Sequence, residues 1–199
     1  MSICVRRMLW DDIAQVRGID LNCFPTMVPP TNYETEFVNP MAYYLVAYDK
    51  DIAPPEDISG RKSQKVLGFI GLWYMASEMH IINLAVHPDY RLLGVGELLL
   101  ICGIGLSMEL KAILMTLEVR LSNLAAQALY AKYGFSERGV RRAYYLDNSE
   151  DAGIMTLDNM YTPEYKAALH ALKIRYLQTW KKSAEDTSFI VDMGCNAAE

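Results

Sequence analysis

Cysteine and histidine are both scarce in this sequence, and neither recurs at a short spacing. The cysteines include no Cys-x-x-Cys pair and lie far apart, at Cys4, Cys23, Cys102 and Cys195. Such a distribution argues against a disulfide framework in a chain of 199 residues. The histidines have no ligand spacing with one another or with cysteine. We therefore expect no structural metal.

Long hydrophobic runs and a surplus of basic charge are also missing. The longest apolar run, Leu98 to Leu106, is far shorter than the roughly 20 residues that cross a bilayer. Arg6 and Arg7 come too early for the apolar core of a signal peptide. The net charge of -5 argues against sequence-independent binding to nucleic acid and would suit a basic partner such as a ribosomal-protein tail. We expect a cytoplasmic protein that binds neither membranes nor nucleic acid directly.

The hydrophobic pattern predicts a single α/β domain with a mixed central sheet. A content of 52% hydrophobic and 22% charged residues is typical of globular proteins. Apolar segments predict a first strand at 3–9 and then an antiparallel meander of three strands, at 42–48, 66–75 and 79–86. The pattern then changes to helix, strand and helix, at 96–109, 113–120 and 123–133, which predicts a right-handed parallel crossover. A hairpin of strands 135–146 and 152–157 follows.

The pattern of residues from Asn83 to Leu98 predicts a strand, a glycine turn and the start of an apolar helix. A helix start has unpaired N–H groups and a partial positive charge, and glycines in front of it allow close approach of a phosphate. Leu99 stands where the dinucleotide fingerprint needs its third glycine, and neither Lys-Ser nor Lys-Thr follows Gly96, so two nucleotide loops are excluded. An ordinary turn before a buried helix remains an alternative.

The pattern Arg91-x-x-Gly94-x-Gly96, behind the phrase Asn-Leu-Ala-Val-His-Pro, resembles the acetyl-CoA loop of the GNAT superfamily of N-acetyltransferases. The second half strengthens the resemblance, with the segments 117–123, 125–135, 141–145 and 150–155 in the order found in the ribosomal-protein-alanine N-acetyltransferase branch (RimI-type). The resemblance extends from about Ile3 to Leu157 and is specific from Asn83 onward. It implies a GNAT domain over residues 1–160.

The resemblance implies a role for each matching residue. The residues expected to bind acetyl-CoA are Leu84, Ala85, Val86, Arg91, Leu92, Leu93, Gly94, Val95, Gly96, Glu97 and Asn123. Glu118 would be the general base, and Tyr130 would give a proton to the departing thiolate. The structural alternatives are an ion pair of Glu118 with Arg120, a core position for Tyr130 and a plain helix cap for Asn123.

The phosphate loop departs from the pattern of the family. Family members often have basic residues where this chain has Leu92 and Leu93, and Glu97 adds an opposing charge. Arg91 is therefore the one cationic side chain that the loop offers, and the binding of acetyl-CoA would depend on backbone N–H groups.

The implied function is transfer of acetyl from acetyl-CoA to the α-amine of a protein by direct attack, since no cysteine is placed for a covalent step. Transfer to lysine or to a small amine is an alternative, as is a non-catalytic CoA-binding regulatory protein. The candidate walls of the acceptor groove are Phe24-Pro25, Tyr33 and the segment 141–145, with core positions as the alternative. The sequence leaves the acceptor protein and the oligomeric state open.

A helix outside the resemblance is predicted in the segment 161–199. Thr162, Pro163 and Glu164 provide a hydroxyl cap, a first-turn proline and an acid that the helix dipole favours. An apolar face is formed by Tyr165, Leu169, Leu172, Tyr176 and Trp180. We expect this face to pack on the domain, with a partner or dimer surface as the alternative, and a frayed tail from Ser183.

Overall fold

The computed structural model describes residues 3–26, 29–51 and 64–180. The predicted tail from Ser183 lies outside these ranges. Within them the chain forms one seven-stranded sheet in the order β1-β2-β3-β4-β5-β7-β6. The strands are β1 (Ile3–Arg7), β2 (Ala42–Asp49), β3 (Val66–Met75), β4 (Glu78–Val86), β5 (Leu114–Arg120), β6 (Ser136–Tyr145) and β7 (Glu150–Leu157).

The mixed character of the sheet confirms the predicted fold class. Strands β1 to β4 pair antiparallel in chain order, and β4 pairs parallel with β5. Strands β6 and β7 form the predicted hairpin. The sequence did not indicate where this hairpin lies: β7 inserts between β5 and β6 and runs antiparallel to both. The helix after β5 therefore carries the chain beyond the sheet edge, and β7 returns beside β5.

Helices cover both faces of the sheet. They are α1 (Ile13–Cys23), α2 (Tyr33–Val38), α3 (Val95–Glu109), α4 (Leu124–Lys132) and α5 (Pro163–Thr179). Side chains of α1 and α2 pack with one apolar cluster of the sheet, and those of α3, α4 and α5 pack with the other. Asn32 and Thr162 cap α2 and α5 by accepting the N–H groups of Thr35 and Tyr165.

Helix α3 is the centre of the larger core. Leu99, Leu100, Ile101 and Ile104 have no exposed surface, because α3 has the sheet on one side and α5 on the other. A Cβ on Gly103 would lie 3.1 Å from Cδ1 of Ile70, which explains this helical glycine by close packing on the sheet.

Helix α5 runs antiparallel to α3. At its beginning, the Tyr161 hydroxyl donates to the carbonyl of Met108, near the C-terminal end of α3. At its end, the Trp180 side chain contacts Gly94, which precedes α3. Tyr165, Leu169 and Tyr176 are buried, and Leu172 and Trp180 pack against the same cluster. The predicted apolar face of this helix thus packs on the sheet domain. No helix among the described residues has both the length and the apolar character to cross a membrane.

Candidate active site

The sheet opens between β4 and β5. Their parallel pairing joins residues 78–81 to residues 114–117 and ends there, although β4 continues to Val86 and β5 to Arg120. Ile82 is the extra residue of a β-bulge, since Ile81 and Asn83 pair with consecutive residues of β3. A bulge bends its strand and increases the local twist, which turns the end of β4 away from β5.

Backbone groups at the end of β4 face this opening. The N–H group of His87 donates to the carbonyl of Leu67 in β3 at 2.9 Å. Successive residues of a strand direct their N–H groups to opposite edges. The N–H groups of Leu84 and Val86 therefore point toward β5, into the opening. This orientation fits the binding of acetyl-CoA that the resemblance implies for both residues.

The N-terminus of α3 lies beside the end of β4. Gly94 is the residue before the helix, with the left-handed φ of 77°, and it has no side chain that could cap the first turn. A Cβ on Gly96 would lie 3.4 Å from Cγ2 of Val86. The uncapped N–H groups of α3 and the open edge of β4 thus form one continuous surface, which suits an anion attached to an extended chain.

Arg91 uses part of its guanidinium within the protein. Its Nε donates to the carbonyl of Val86 at 3.2 Å, and Nη2 lies 3.3 Å from Sγ of Cys23. The guanidinium therefore ties the loop to the end of β4 and to α1. Leu92 is 95% exposed with a φ of 59°, and Leu93 is also exposed. Neither leucine adds a polar group, so the loop offers a ligand its backbone N–H groups and the remaining N–H groups of Arg91.

The opposing charge of Glu97 is neutralised within the structure. Its carboxylate accepts hydrogen bonds from Nζ of Lys132 at 2.6 Å and from the hydroxyl of Tyr133 at 2.7 Å. Burial, together with this carboxylate, raises the pKa of Tyr133, which keeps the hydroxyl protonated as a donor. The unfavourable effect on phosphate binding that we expected from Glu97 is therefore reduced.

Glu118 lies in the part of β5 that pairs with β7 but not with β4. Leu117 and Val119 point into the core that contains α3, so Glu118 points to the opposite face, where α1 and α2 lie. Its carboxylate is 3.0 Å from Nε of Arg141 on β6, and its side chain is 24% exposed. The alternative ion pair of Glu118 with Arg120 is wrong, because Arg120 binds other carboxylates.

Arg120 holds the turn between β6 and β7. Its guanidinium donates to Asp147 at 2.9 Å and to Glu150 at 3.0 Å, and it lies 3.8 Å from the ring centre of Tyr145. Hydrogen bonds from Ser122 and from Arg120 lower the pKa of Glu150 to about 2. These contacts fix the hairpin turn against the end of β5, beside Glu118.

The loop after α1 reaches the same turn. The hydroxyl of Thr26 donates to Asp147 at 2.8 Å. Arg120 and this hydroxyl together lower the pKa of Asp147. The segment after α1 and the hairpin turn are thus in contact.

Tyr130 lies on α4, in the core on the other face. Its ring is 5.7 Å from that of Phe135, and the residue is 6% exposed, so the expected core contacts exist. No described residue forms a hydrogen bond with its hydroxyl. Burial raises the pKa of Tyr130, which keeps the phenol protonated at neutral pH.

Tyr145 connects the two predicted catalytic residues electrostatically. Burial is the main cause that raises its pKa to about 12, and the charge of Glu118 also contributes. Tyr145 in turn raises the pKa of Tyr130. This tyrosine was predicted only as a groove wall, since its proximity to Tyr130 depends on the place of β6 in the sheet.

The other residues predicted to line the groove differ in how far they are buried. Tyr33 has no exposed surface: its hydroxyl accepts a hydrogen bond from Asn83 at 3.3 Å, and its ring packs on Tyr44 and Phe69. Tyr33 therefore has the core position given as its alternative and is not a wall of the groove. Phe24 is half-buried, whereas Arg141 and Tyr144 are exposed on β6.

Asn123 has the structural role given as its alternative. Its side chain accepts the N–H group of Ala126 at 3.1 Å and caps α4. The residue is exposed, so this cap does not prevent contact with a ligand at the helix start.

The cysteines of the described ranges are free thiols. Cys102 is buried, and burial raises its pKa to about 12. Cys23 is the one near the opening, with Sγ 3.4 Å from the carbonyl of Val86. Over residues 3–26, 29–51 and 64–180, no cluster of three or more His, Cys, Asp or Glu side chains is arranged to hold a metal ion.

Comparison with known proteins agrees with this geometry. The model of the acetyltransferase (GNAT) family matches residues 14–135, more than half of the chain. A Bacillus subtilis protein, provisionally named ribosomal protein bS18-alanine N-acetyltransferase, is 36% identical over 152 residues, which are 76% of this chain and 92% of that protein. The enzyme of that name from Escherichia coli K12 is 41% identical over 95 residues, 47% of this chain and 64% of its own length.

A solved structure shows the same fold. The crystal structure of the ribosomal-protein-S18-alanine N-acetyltransferase from Escherichia coli superposes with a TM-score of 0.63 at 27% identity. The match covers 78% of this chain and 92% of that chain. The family match, the relatives and the open sheet beside an uncapped helix lead to one conclusion: the chain belongs to the acetyltransferase (GNAT) family and is an acetyl-CoA-dependent N-acetyltransferase.

Proposed function

We propose that this protein acetylates the α-amine of a protein N-terminus, with a ribosomal protein as the acceptor. The observation that carries the proposal is the opening between β4 and β5, with Glu118 at one side and the N-terminus of α3 at the other. The relatives named for alanine N-acetylation of a ribosomal protein support the acceptor class. An acceptor of this kind would place the activity in the cytoplasm.

The residues of the loop and of β4 fit acetyl-CoA. The uncapped start of α3 suits its diphosphate, and the N–H groups at the end of β4 suit the amides of its pantetheine arm, which would pair with the strand edge. Acetyl-CoA supplies an activated acetyl group as a thioester. Arg91, Leu92, Leu93, Val95 and the other loop residues would contribute chiefly through the backbone.

Glu118 is suited to accept the proton of the attacking amine. An α-ammonium group has a pKa of about 7.7–8.0, so a carboxylate acting through water can remove its proton near neutral pH. A lysine side chain, with a pKa near 10.4, is harder to deprotonate. Glu118 is partly exposed on the face where α1 lies, beside the hairpin turn, which would give an acceptor access to it.

Two further groups complete the chemistry. The N–H group of Val86 would donate to the acyl oxygen as negative charge develops there. Tyr130 keeps its proton because burial raises its pKa, and it would protonate the leaving thiolate. No residue of the chain needs to carry the acetyl group, so the transfer is direct.

A peptide panel tests the substrate. The full chain is incubated with acetyl-CoA and either an alanine-started peptide or an N-terminally blocked peptide with an internal lysine, and thiol release is measured. We expect turnover with the first peptide only. Turnover with the lysine peptide alone would replace the proposal by lysine acetylation, and binding of acetyl-CoA without any turnover would indicate a regulatory protein.

Two variants test the mechanism. Glu118→Gln and Tyr130→Phe should each lower kcat by about 10²–10⁴-fold, the usual contribution of general acid–base catalysis. Glu137→Gln and Tyr161→Phe are matched controls, since Glu137 is exposed on β6 and Tyr161 lies at the far end of α3. Unchanged rates in folded Glu118→Gln or Tyr130→Phe protein would remove that residue from the mechanism.

A further inference from the structure

The C-terminal helix ends on the loop that is expected to bind phosphate. Trp180 follows the last residue of α5, and its backbone N–H still donates to the carbonyl of Tyr176 at 3.1 Å. A Cβ built on Gly94 would lie 2.5 Å from both Nε1 and Cε2 of Trp180. The indole therefore lies directly against the α-carbon of Gly94.

This contact is one of packing. Nε1 of Trp180 is buried, and no described residue accepts a hydrogen bond from it. An indole N–H that was placed for a hydrogen bond within the protein would have an acceptor. The loop therefore packs on the apolar surface of the indole and makes no hydrogen bond with it.

The place of the indole is set by the whole of α5. Tyr161 contacts Met108 at one end of α3, and the Tyr165 hydroxyl donates to the carbonyl of Tyr133 at 3.1 Å. The buried side chains of Leu169 and Tyr176 continue this contact toward Trp180. The indole is thus presented to Gly94 by a 17-residue helix that is anchored along its length.

The backbone conformation of Gly94 is the property of the loop that the packed indole can stabilise. Glycine has more conformational freedom to lose than any other residue, and here it adopts a left-handed φ of 77°. Its carbonyl accepts the N–H of Leu98 at 3.0 Å, so the conformation of Gly94 sets the direction of the first N–H groups of α3. Two of the N–H groups of Arg91 are used within the protein, so the N–H groups of α3 are important donors for an anion.

We propose that Trp180 is a positioning residue of the acetyl-CoA site, which holds Gly94 in the conformation that binds the diphosphate. The helix beyond the resemblance would then serve to order the loop before the ligand arrives. Ordering in advance raises affinity because the entropy of fixing the backbone is not lost on binding. This inference rests on the proposed use of acetyl-CoA.

The test compares three variants of the full chain. Trp180→Ala removes the ring, and Trp180→Phe keeps an aromatic ring without the N–H group. Ile174→Ala removes an apolar side chain from an exposed position of the same helix, as the matched control. We expect the Kd for acetyl-CoA, measured by calorimetry, to rise about 5- to 30-fold in Trp180→Ala, as for one residue that must be ordered on binding. Trp180→Phe and Ile174→Ala should remain within about threefold of the wild type.

Kinetics and hydrogen exchange separate this role from general destabilisation. In Trp180→Ala the KM for acetyl-CoA should rise, while kcat and the KM for the peptide stay unchanged. In the free protein, the amide of Leu98 should exchange faster in Trp180→Ala than in Trp180→Phe, a readout that needs neither ligand nor turnover.

Three results would overturn the inference. Equal affinity of Trp180→Ala and wild type would show that the indole is not needed, and tighter binding by Trp180→Ala would show that it competes with the ligand. An equal loss of affinity in Ile174→Ala would mean that the effect comes from a less stable α5 and not from the indole. If the wild type itself bound no acetyl-CoA, the proposed function would fail first, whatever the exchange of Leu98 showed.

Discussion

The contact between Trp180 and Gly94 predicts a strong coupling between two substitutions. In Gly94→Ala, the left-handed conformation costs about 1–2 kcal/mol for an L-residue. The new Cβ would also lie 2.5 Å from two indole atoms, so the ring has to move. Such overpacking costs about 1–3 kcal/mol. Ala also reduces the conformational freedom of the unfolded chain, which stabilises the folded protein by up to about 1 kcal/mol. Together these contributions predict that Gly94→Ala destabilises the protein by about 1–5 kcal/mol.

The steric part should vanish when the indole is removed. In a Trp180→Ala background, Gly94→Ala should cost only the conformational part, about 1–2 kcal/mol before the unfolded-state offset. The cycle therefore predicts a coupling of about 1–3 kcal/mol, which urea unfolding of the four proteins measures from their midpoints and slopes. The free energy of unfolding of Trp180→Ala alone is the reference for the double variant. An equal cost of Gly94→Ala in both backgrounds would refute the assigned packing of the indole on Gly94.

Other predictions concern the groove, the loop and the hairpin. Cys23→Ser should keep kcat within about threefold, because a direct attack uses no acyl-enzyme; an acetyl adduct on Cys23 in intact-mass spectra of the wild type, with loss of activity in the variant, would contradict this. Leu92→Asn should raise the free energy of unfolding by about 0.5–1 kcal/mol, because Asn tolerates the left-handed φ of 59° better than Leu; a lower urea midpoint would oppose it. The folded-state pKa of Glu150, about 2, lies below its ordinary 4.5, so its stabilising effect is present above pH 4.5 and is lost as the pH falls toward 2. The Tm of the wild type should therefore fall more steeply over that interval than the Tm of Glu150→Gln, and parallel curves would argue against the assigned hydrogen bonds.

Local patterns were sufficient for much of the fold. The change from strand to helix periodicity gave the crossover around the glycine loop, and the sequence Thr162-Pro163-Glu164 gave the start of α5 within a residue. The side chains of Asn123 and Thr162 form the caps that their positions suggested. These features depend on residues that are neighbours in the sequence, so they can be predicted from the sequence alone.

The errors concern contacts between distant segments. The interpretation of Glu118 and Arg120 as partners used their common face on β5, but the hairpin brings Asp147 and Glu150 to Arg120 and Arg141 to Glu118. Tyr33 was expected at the groove, whereas the pairing of α2 with the sheet buries it beside Asn83. In each case an aromatic or charged residue has several possible partners, and the order of the strands selects among them.

The sequence by itself determined the loop and strand motifs, the family to which they point and the helical character of the C-terminal segment. Only the tertiary structure decided that β4 and β5 separate after Ile81, that Glu118 meets Arg141, and that α5 ends with Trp180 on Gly94. The reason is physical: capping, turns and periodicity are properties of consecutive residues, whereas the opening of a sheet and the contact of a helix end with a loop require segments far apart in sequence to pack together.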